Sequence, residues 1–124
     1  MENLGNLAIS VFALPKDMNS QNFIFGGWLL ENSDLAGLVQ CKKYSPGNYV
    51  TIAIDKLKFI KPVEVGDLVQ FYTSIQNIGT TSITIQITAT ANRLKGQEPF
   101  VIISGLFTFV KTDANGDKIV ILKN

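Results

Sequence analysis

IFGGWLLENSDLAG, residues 24–37, decides how the rest of the chain is read. Two glycines open an apolar run whose members Trp28, Leu29, Leu35, Ala36, Leu38, Val39 and Cys41 fall mainly at helical spacings, to about Lys43. A helix apolar on most of its circumference is expected to be buried rather than to lie on a surface. Only Glu31, Asn32, Asp34 and Gln40 interrupt it before the lysines. A carboxylate among apolar neighbours is costly unless it is paired or used. The chain holds no histidine to partner Asp34.

Around this helix the sequence reads as strands. Residues 6–14 (NLAISVFAL) form a first strand ended by Pro15, and 17–22 (DMNSQN) carry turn and cap chemistry. After SPGN (45–48) stops the helix, YVTIAIDKLKFI (49–60) alternates with a change of phase. Val50, Ile52 and Ile54 occupy even positions, Leu57 and Phe59 odd ones, so a bulge or bend is predicted near Asp55 and Lys56. KPVEVGD forms a loop, 68–78 a strand, and Gly79 a tight turn. SITIQITATA (82–91) puts Ile83, Ile85, Ile87, Ala89 and Ala91 on one face. FVIISGLFTFV (100–110) is strongly apolar, and Asn115-Gly116 predicts a hairpin into a short last strand, KIVIL. The expectation is an α+β fold in one domain over residues 1–124: a curved antiparallel sheet of five to six strands wrapped around one long central helix.

Composition narrows the chemistry. In 124 residues the apolar fraction is 46%, with a mean hydropathy of +0.21. Such an excess on a small surface points to partial cover by another subunit. Net charge is +1, from 11 basic and 10 acidic residues, which gives no electrostatic footprint for nucleic acid or an anionic membrane. One cysteine, Cys41, excludes an internal disulfide framework and fits a reducing compartment; its bland reading is a small apolar residue on a helix face. The N-terminal stretch lacks the basic and apolar regions of a secretion signal, and no apolar run reaches the ~20 residues of a spanning helix. A cytoplasmic protein is expected. Without histidine, Ser-His-Asp and Cys-His nucleophile systems and most catalytic zinc sites are excluded. Catalysis here must run on carboxylate, hydroxyl, lysine or backbone amides.

The segments PKDMNSQNFIFGGWLLENSDLAG, VTIAIDKLKFIKPVEVGDLV, IGTTSITI and GLFTFVKTDANG stand in an order that resembles the YciA-type acyl-CoA thioesterases of the hotdog superfamily, over about residues 7–117. The resemblance implies hydrolysis of an acyl-CoA thioester to free acid and CoA. It implies dimers, often assembled as a hexameric trimer of dimers, with the site shared between two subunits. It makes Asp34 the catalytic carboxylate, places Asn19 of the D-x-N segment at the site, and sets the Gly27 N–H to polarise the thioester carbonyl. Phe25 and Gly26 belong to the same motif. Thr51, Thr80, Thr81 and Ser82 are candidates for hydrogen bonds to CoA, and Lys58 and Lys61 for its phosphates. The plain alternatives are strand-forming threonines and solvated edge lysines. No cofactor is expected, CoA being part of the substrate.

Physical chemistry agrees with those roles. Helix-opening amides point outward with the positive end of the dipole, and a carbonyl oxygen gains charge as its carbon is attacked. Gly27 and Asp34 are about 10 Å apart along one helix, at ~1.5 Å per residue. That is far for one carbonyl to touch both, so a site completed in trans is expected. Asp34 can act as base for water or as direct nucleophile, and the sequence leaves both open. The competing reading is a non-hydrolytic acyl-CoA- or lipid-binding hotdog protein. A hotdog dehydratase would normally employ a histidine. The chain departs from the family pattern at Gln21-Asn22-Phe23, where a Gly and a polar residue usually precede I-F-G-G. It also departs at Thr80, where a basic residue is usual, and in its shorter C-terminus.

Overall fold

A computed structural model describes residues 3–123; Met1 and Glu2, the start of the stretch read above for a leader, and Asn124 lie outside the described residues. The elements run β1 (Asn6–Phe12), a 3-10 turn (Pro15–Asp17), α1 (Gly26–Tyr44), β2 (Asn48–Phe59), β3 (Leu68–Ile78), β4 (Ser82–Asn92) and β5 (Phe100–Thr112). The five strands form one sheet in the order β1-β3-β4-β5-β2, and every neighbouring pair is antiparallel. α1 lies across one face and touches all five strands.

The alternation read in β4 sets the floor under the helix. Ile83, Ile85, Ile87, Ala89 and Ala91 are all buried. Above them Leu29, Ser33, Ala36, Gly37 and Cys41 form the buried face of α1. Gly37 permits a close approach, because a Cβ there would run into the Phe109 ring. Phe109 in turn stacks on Phe107 at 6.3 Å between centroids.

All-round burial of the helix is not met within one chain. Gly27, Glu31 and Leu35 face outward, Leu35 being 46% exposed. Val50, Ile52 and Ile54 on β2 are exposed as well. Among the described residues β2 pairs only with β5, so this 12-residue strand has one open edge. The phase slip in its sequence corresponds to a register shift between Asp55 and Lys58, with Lys56 at φ 52°.

Two boundaries differ from the sequence reading. β1 ends at Phe12 because Ala13 bonds the loop before β3 instead of its ladder, through Ala13 N–H to Asp67 O and Gly66 N–H to Ala13 O. KIVIL forms no strand. Beyond a single Thr112–Lys118 bridge, its amides are divided, Ile119 donating to Lys111 O and Ile121 to Thr80 O. No regular ladder follows from two such partners, although Ile121 itself is buried. The turn is nevertheless where Asn115-Gly116 predicts it, capped by Asp113 Oδ1, which accepts from the Asn115 and Asp117 amides.

Cys41 sits in the core, and its thiol is pushed up to about 12, chiefly by burial and then by the charge of Asp34. Burial also raises the Tyr49 phenol. Both groups ionise at higher pH folded than unfolded, so their contribution to stability is complete below about pH 9 and is lost as pH rises towards 12. Native protein at about pH 8 should leave Cys41 unlabelled by a thiol reagent that modifies it fully in denaturant. The thermal midpoint should fall on raising the pH above about 9.

Candidate active site

The loop into α1 is organised by two short polar side chains. The Asp17 carboxylate accepts the Leu14 amide at 3.1 Å and the Lys16 ammonium at 3.1 Å, while its carbonyl accepts the Phe25 amide. Asn19 Oδ1 accepts the amides of Gln21 at 2.9 Å and Phe23 at 3.1 Å. Asn22 takes a left-handed φ of 66°, a conformation asparagine tolerates better than most residues. Asn22 thus supplies a positive φ at the position where the resemblance leads one to expect a glycine.

This loop delivers Phe25 as the helix N-cap, its carbonyl accepting Trp28 and Leu29 amides. The Gly26 and Gly27 amides have no protein acceptor among the described residues, as expected for the first turn of a helix. The two glycines differ in access. A Cβ at Gly26 would lie 3.3 Å from the Phe59 ring, whereas one at Gly27 would meet nothing within 4 Å. The side of the helix at Gly27 is thus open, and Gly26 is the place where Phe59 packs against the helix.

Asp34 follows two turns later. At about 100° per residue, Asp34 and Gln40 stand ~60° to either side of Gly37, which faces the sheet. Gln40 on one flank accepts from Thr73 at 2.9 Å and Asn6 at 3.2 Å, on β3 and β1. Asp34 on the other flank is half-buried and accepts from Thr51 Oγ1 of the edge strand β2. The carboxylate is thereby turned towards the open edge of the sheet. Within the chain it remains about 10 Å along the helix from Gly27.

Other candidates are dispersed. Lys61 lies at the mouth of the Gly26 region, its ammonium 5.4 Å from the centre of the Phe100 ring. Lys58 is exposed on β2 opposite Ser104. Thr80, Thr81 and Ser82 are not brought to the helix N-terminus. Their turn is tied to Ile121 and Lys111, and the Lys111 ammonium donates to Ser45 at the far end of α1. A 19-residue helix separates the two places by about 27 Å.

The sequence reading missed what surrounds Gly26. A cavity of about 270 Å³ is lined by Ile24, Leu29, Phe59, Ile60 and Val63, with Gly26 at its side. Through Lys61 and Pro62 it adjoins a cleft of about 480 Å³ bordered by Phe23, Arg93 and Phe100. Arg93 stacks on Phe100 at 4.8 Å and pairs with Glu64 at 2.9 Å. Its Nε also lies 3.2 Å from Asp67, an ion-pair distance at which the N–H is not aligned for a hydrogen bond. The off-phase Phe59 was the one signal in the sequence that this end of β2 turns its side chains differently. Among the described residues no cluster of His, Cys, Asp or Glu could hold a metal ion, and no helix is long and apolar enough to cross a membrane.

A family model, the thioesterase superfamily, matches residues 21–110. The chain belongs to the thioesterase superfamily. Its relatives place it with the YciA-type members. An acyl-CoA thioester hydrolase of Haemophilus influenzae, itself named as uncharacterized, is 33% identical over 118 residues, covering 93% of this chain and 77% of its own length. The acyl-CoA thioester hydrolase YciA of Escherichia coli is 32% identical over 115 residues, covering 90% and 87%. Among solved structures, the hexameric thioesterase y2039 of Yersinia pestis superposes with a TM-score of 0.94 at 34% identity, over 99% of this chain and all of that one. Cj0915, a hexameric hotdog fold thioesterase of Campylobacter jejuni, gives 0.91 at 35% identity, over 98% and 93%. The hotdog fold of this thioesterase-superfamily chain is the one expected from its helix and strands.

Asn19 supplies a direct test of the loop that presents the helix. With its side chain removed, the Gln21 and Phe23 amides lose their acceptor. Asn19→Ala should speed hydrogen exchange at those two amides and lower stability by about 1 kcal/mol. Exchange measured by NMR, beside a denaturant titration, reads both.

Proposed function

We propose that this protein hydrolyses acyl-CoA thioesters to the free acid and CoA, at a site completed by two subunits. The observation that carries the reading is the combination of the helix-opening Gly27 amide, without a protein acceptor among the described residues, and the Asp34 carboxylate held by the edge strand β2. It occurs in a chain about one-third identical to named acyl-CoA thioester hydrolases.

Geometry supports assembly in trans. A two-fold contact through the open β2 edge runs one strand antiparallel to its copy. Thr51, near the start of β2, touches Asp34; Phe59, at its end, packs on Gly26. Inverting one strand against the other carries the partner's helix N-terminus towards Asp34. The exposed Val50, Ile52, Ile54 and Leu35 are covered by the same contact. Three dimers so formed would make a hexamer, the assembly named for the solved relatives of Yersinia pestis and Campylobacter jejuni.

The chemistry then needs no histidine and no cofactor. The thioester oxygen sits on the Gly27 N–H at the positive end of α1. Asp34 of the other subunit removes a proton from water as its oxygen attacks the carbonyl carbon, and the charge that develops on the thioester oxygen is held by the amide. Collapse breaks the C–S bond and releases CoA thiolate, which takes up the proton to give the thiol. A thiol ionises near pH 8.5, so its thiolate leaves readily without a strong acid catalyst. Direct attack by Asp34 would instead give a mixed anhydride that water opens to the same products. We place the enzyme in the cytoplasm, where its single, buried free thiol stays reduced.

Asp34→Asn should lower kcat by about 10²–10⁴-fold. Gly27→Pro, which removes one donor at a first-turn position where proline is tolerated, should lower it by about 10²–10³-fold. Oligomers reassembled from equal amounts of the two inactive variants should recover about a quarter of wild-type turnover. Half of the dimers are then mixed, and each holds one intact site. If both groups act within one chain, the mixture stays inactive. CoA binding with no turnover of any acyl chain by the wild type would favour the non-hydrolytic reading.

A further inference from the structure

The cavity beside Gly26 has a lining and a position that the hydrolytic reading does not by itself explain. Ile24, Leu29 and Val63 close its base and are almost fully buried, so it ends against the core and does not run through the molecule. Phe59 forms its outer wall, packed on Gly26 yet 52% exposed, at the end of the edge strand. Among the described residues Lys61 is the only lining side chain with a polar group, and it stands at the junction with the outer cleft. Apart from Lys61 its side chains offer no partner to the amides of a pantetheine arm, and unpaired buried amides are costly. Hydrocarbon faces no such penalty.

We infer that this cup takes the acyl chain of the substrate and that Phe59 sets the longest chain accepted, an inference that rests on the thioesterase reading above. A carbonyl bound at the start of α1 has its acyl chain on one side and its sulfur on the other. The apolar cup next to Gly26 receives the chain, and the cleft bearing Lys61 and Arg93 lies on the way out. The volume of about 270 Å³ has room for roughly nine groups the size of a water or a methylene, at ~30 Å³ each. That is below the ~300–1,000 Å³ of pockets that hold a whole drug-sized ligand. A chain of about nine carbons fills the cup, and a palmitoyl chain would extend past Phe59. Because Phe59 is half-exposed, replacing it reshapes the cup without hollowing the core.

Hydrolysis of butanoyl-, octanoyl- and palmitoyl-CoA is measured with the assembled wild type, Phe59→Ala and Phe59→Trp. The wild type should lose kcat/KM between octanoyl and palmitoyl. Phe59→Ala should raise the palmitoyl-to-butanoyl ratio of kcat/KM about tenfold or more, and Phe59→Trp should lower the octanoyl-to-butanoyl ratio by a similar factor. Parallel chain-length profiles in the three proteins would overturn the inference and leave the reaction standing. Loss of butanoyl hydrolysis in Phe59→Ala alone would also overturn it, showing that the ring supports the helix start and not the length limit. Absence of turnover on every chain in every protein would overturn the reaction reading, and this one with it.

Discussion

The seat of α1 on the sheet is the contact on which the rest depends. Gly37 meets Phe109 with no side chain between, so the helix lies low and its rotation about its own axis is fixed. That rotation places Gln40 on the flank of β1 and β3 and Asp34 on the flank of β2, each bonded to a strand threonine. A helix turned by one residue would point Asp34 into the Ile-rich face of β4 or out to solvent. Packing at a buried glycine therefore decides where a carboxylate three residues away can act.

The second constraint is the open edge of β2. An exposed apolar strand twelve residues long is a site for pairing with another chain, and natural proteins seldom leave one bare. Here the same strand holds Asp34 near one end and walls the helix start near the other. Covering the edge and completing the site are one event in the proposed dimer. This accounts for a composition with more apolar surface than a 124-residue monomer can bury.

Much of this was legible in the sequence because it is periodic. The spacing in residues 26–43 marked the helix, the two-period run in 82–91 the central strand, and the change of phase in 49–60 the bulge at Lys56. KIVIL misled because its pattern is that of a strand while its amides find partners in two different places. Asp34 stood out as a charge in an apolar run, and Gly27 as the opening of a helix. The cup around Gly26 was not legible, since its lining comes from two stretches far apart in sequence, 24–29 and 59–63, whose apolar residues are ordinary in isolation. Thr80–Ser82 are candidates for CoA contact, and within one chain strand pairing anchors their turn at the other end of the helix from Gly27.

The central claim is that the amide and the carboxylate acting on one thioester belong to different subunits. A crystal structure of the assembled protein with a thioether analogue of an acyl-CoA, retaining the carbonyl but resistant to hydrolysis, tests it most directly. The account predicts the analogue's oxygen within hydrogen-bond distance of Gly27 N–H of one subunit, with the Asp34 carboxylate of its partner facing the same carbonyl carbon. An analogue bound between Gly27 and Asp34 of a single chain, or seated away from both, would contradict it.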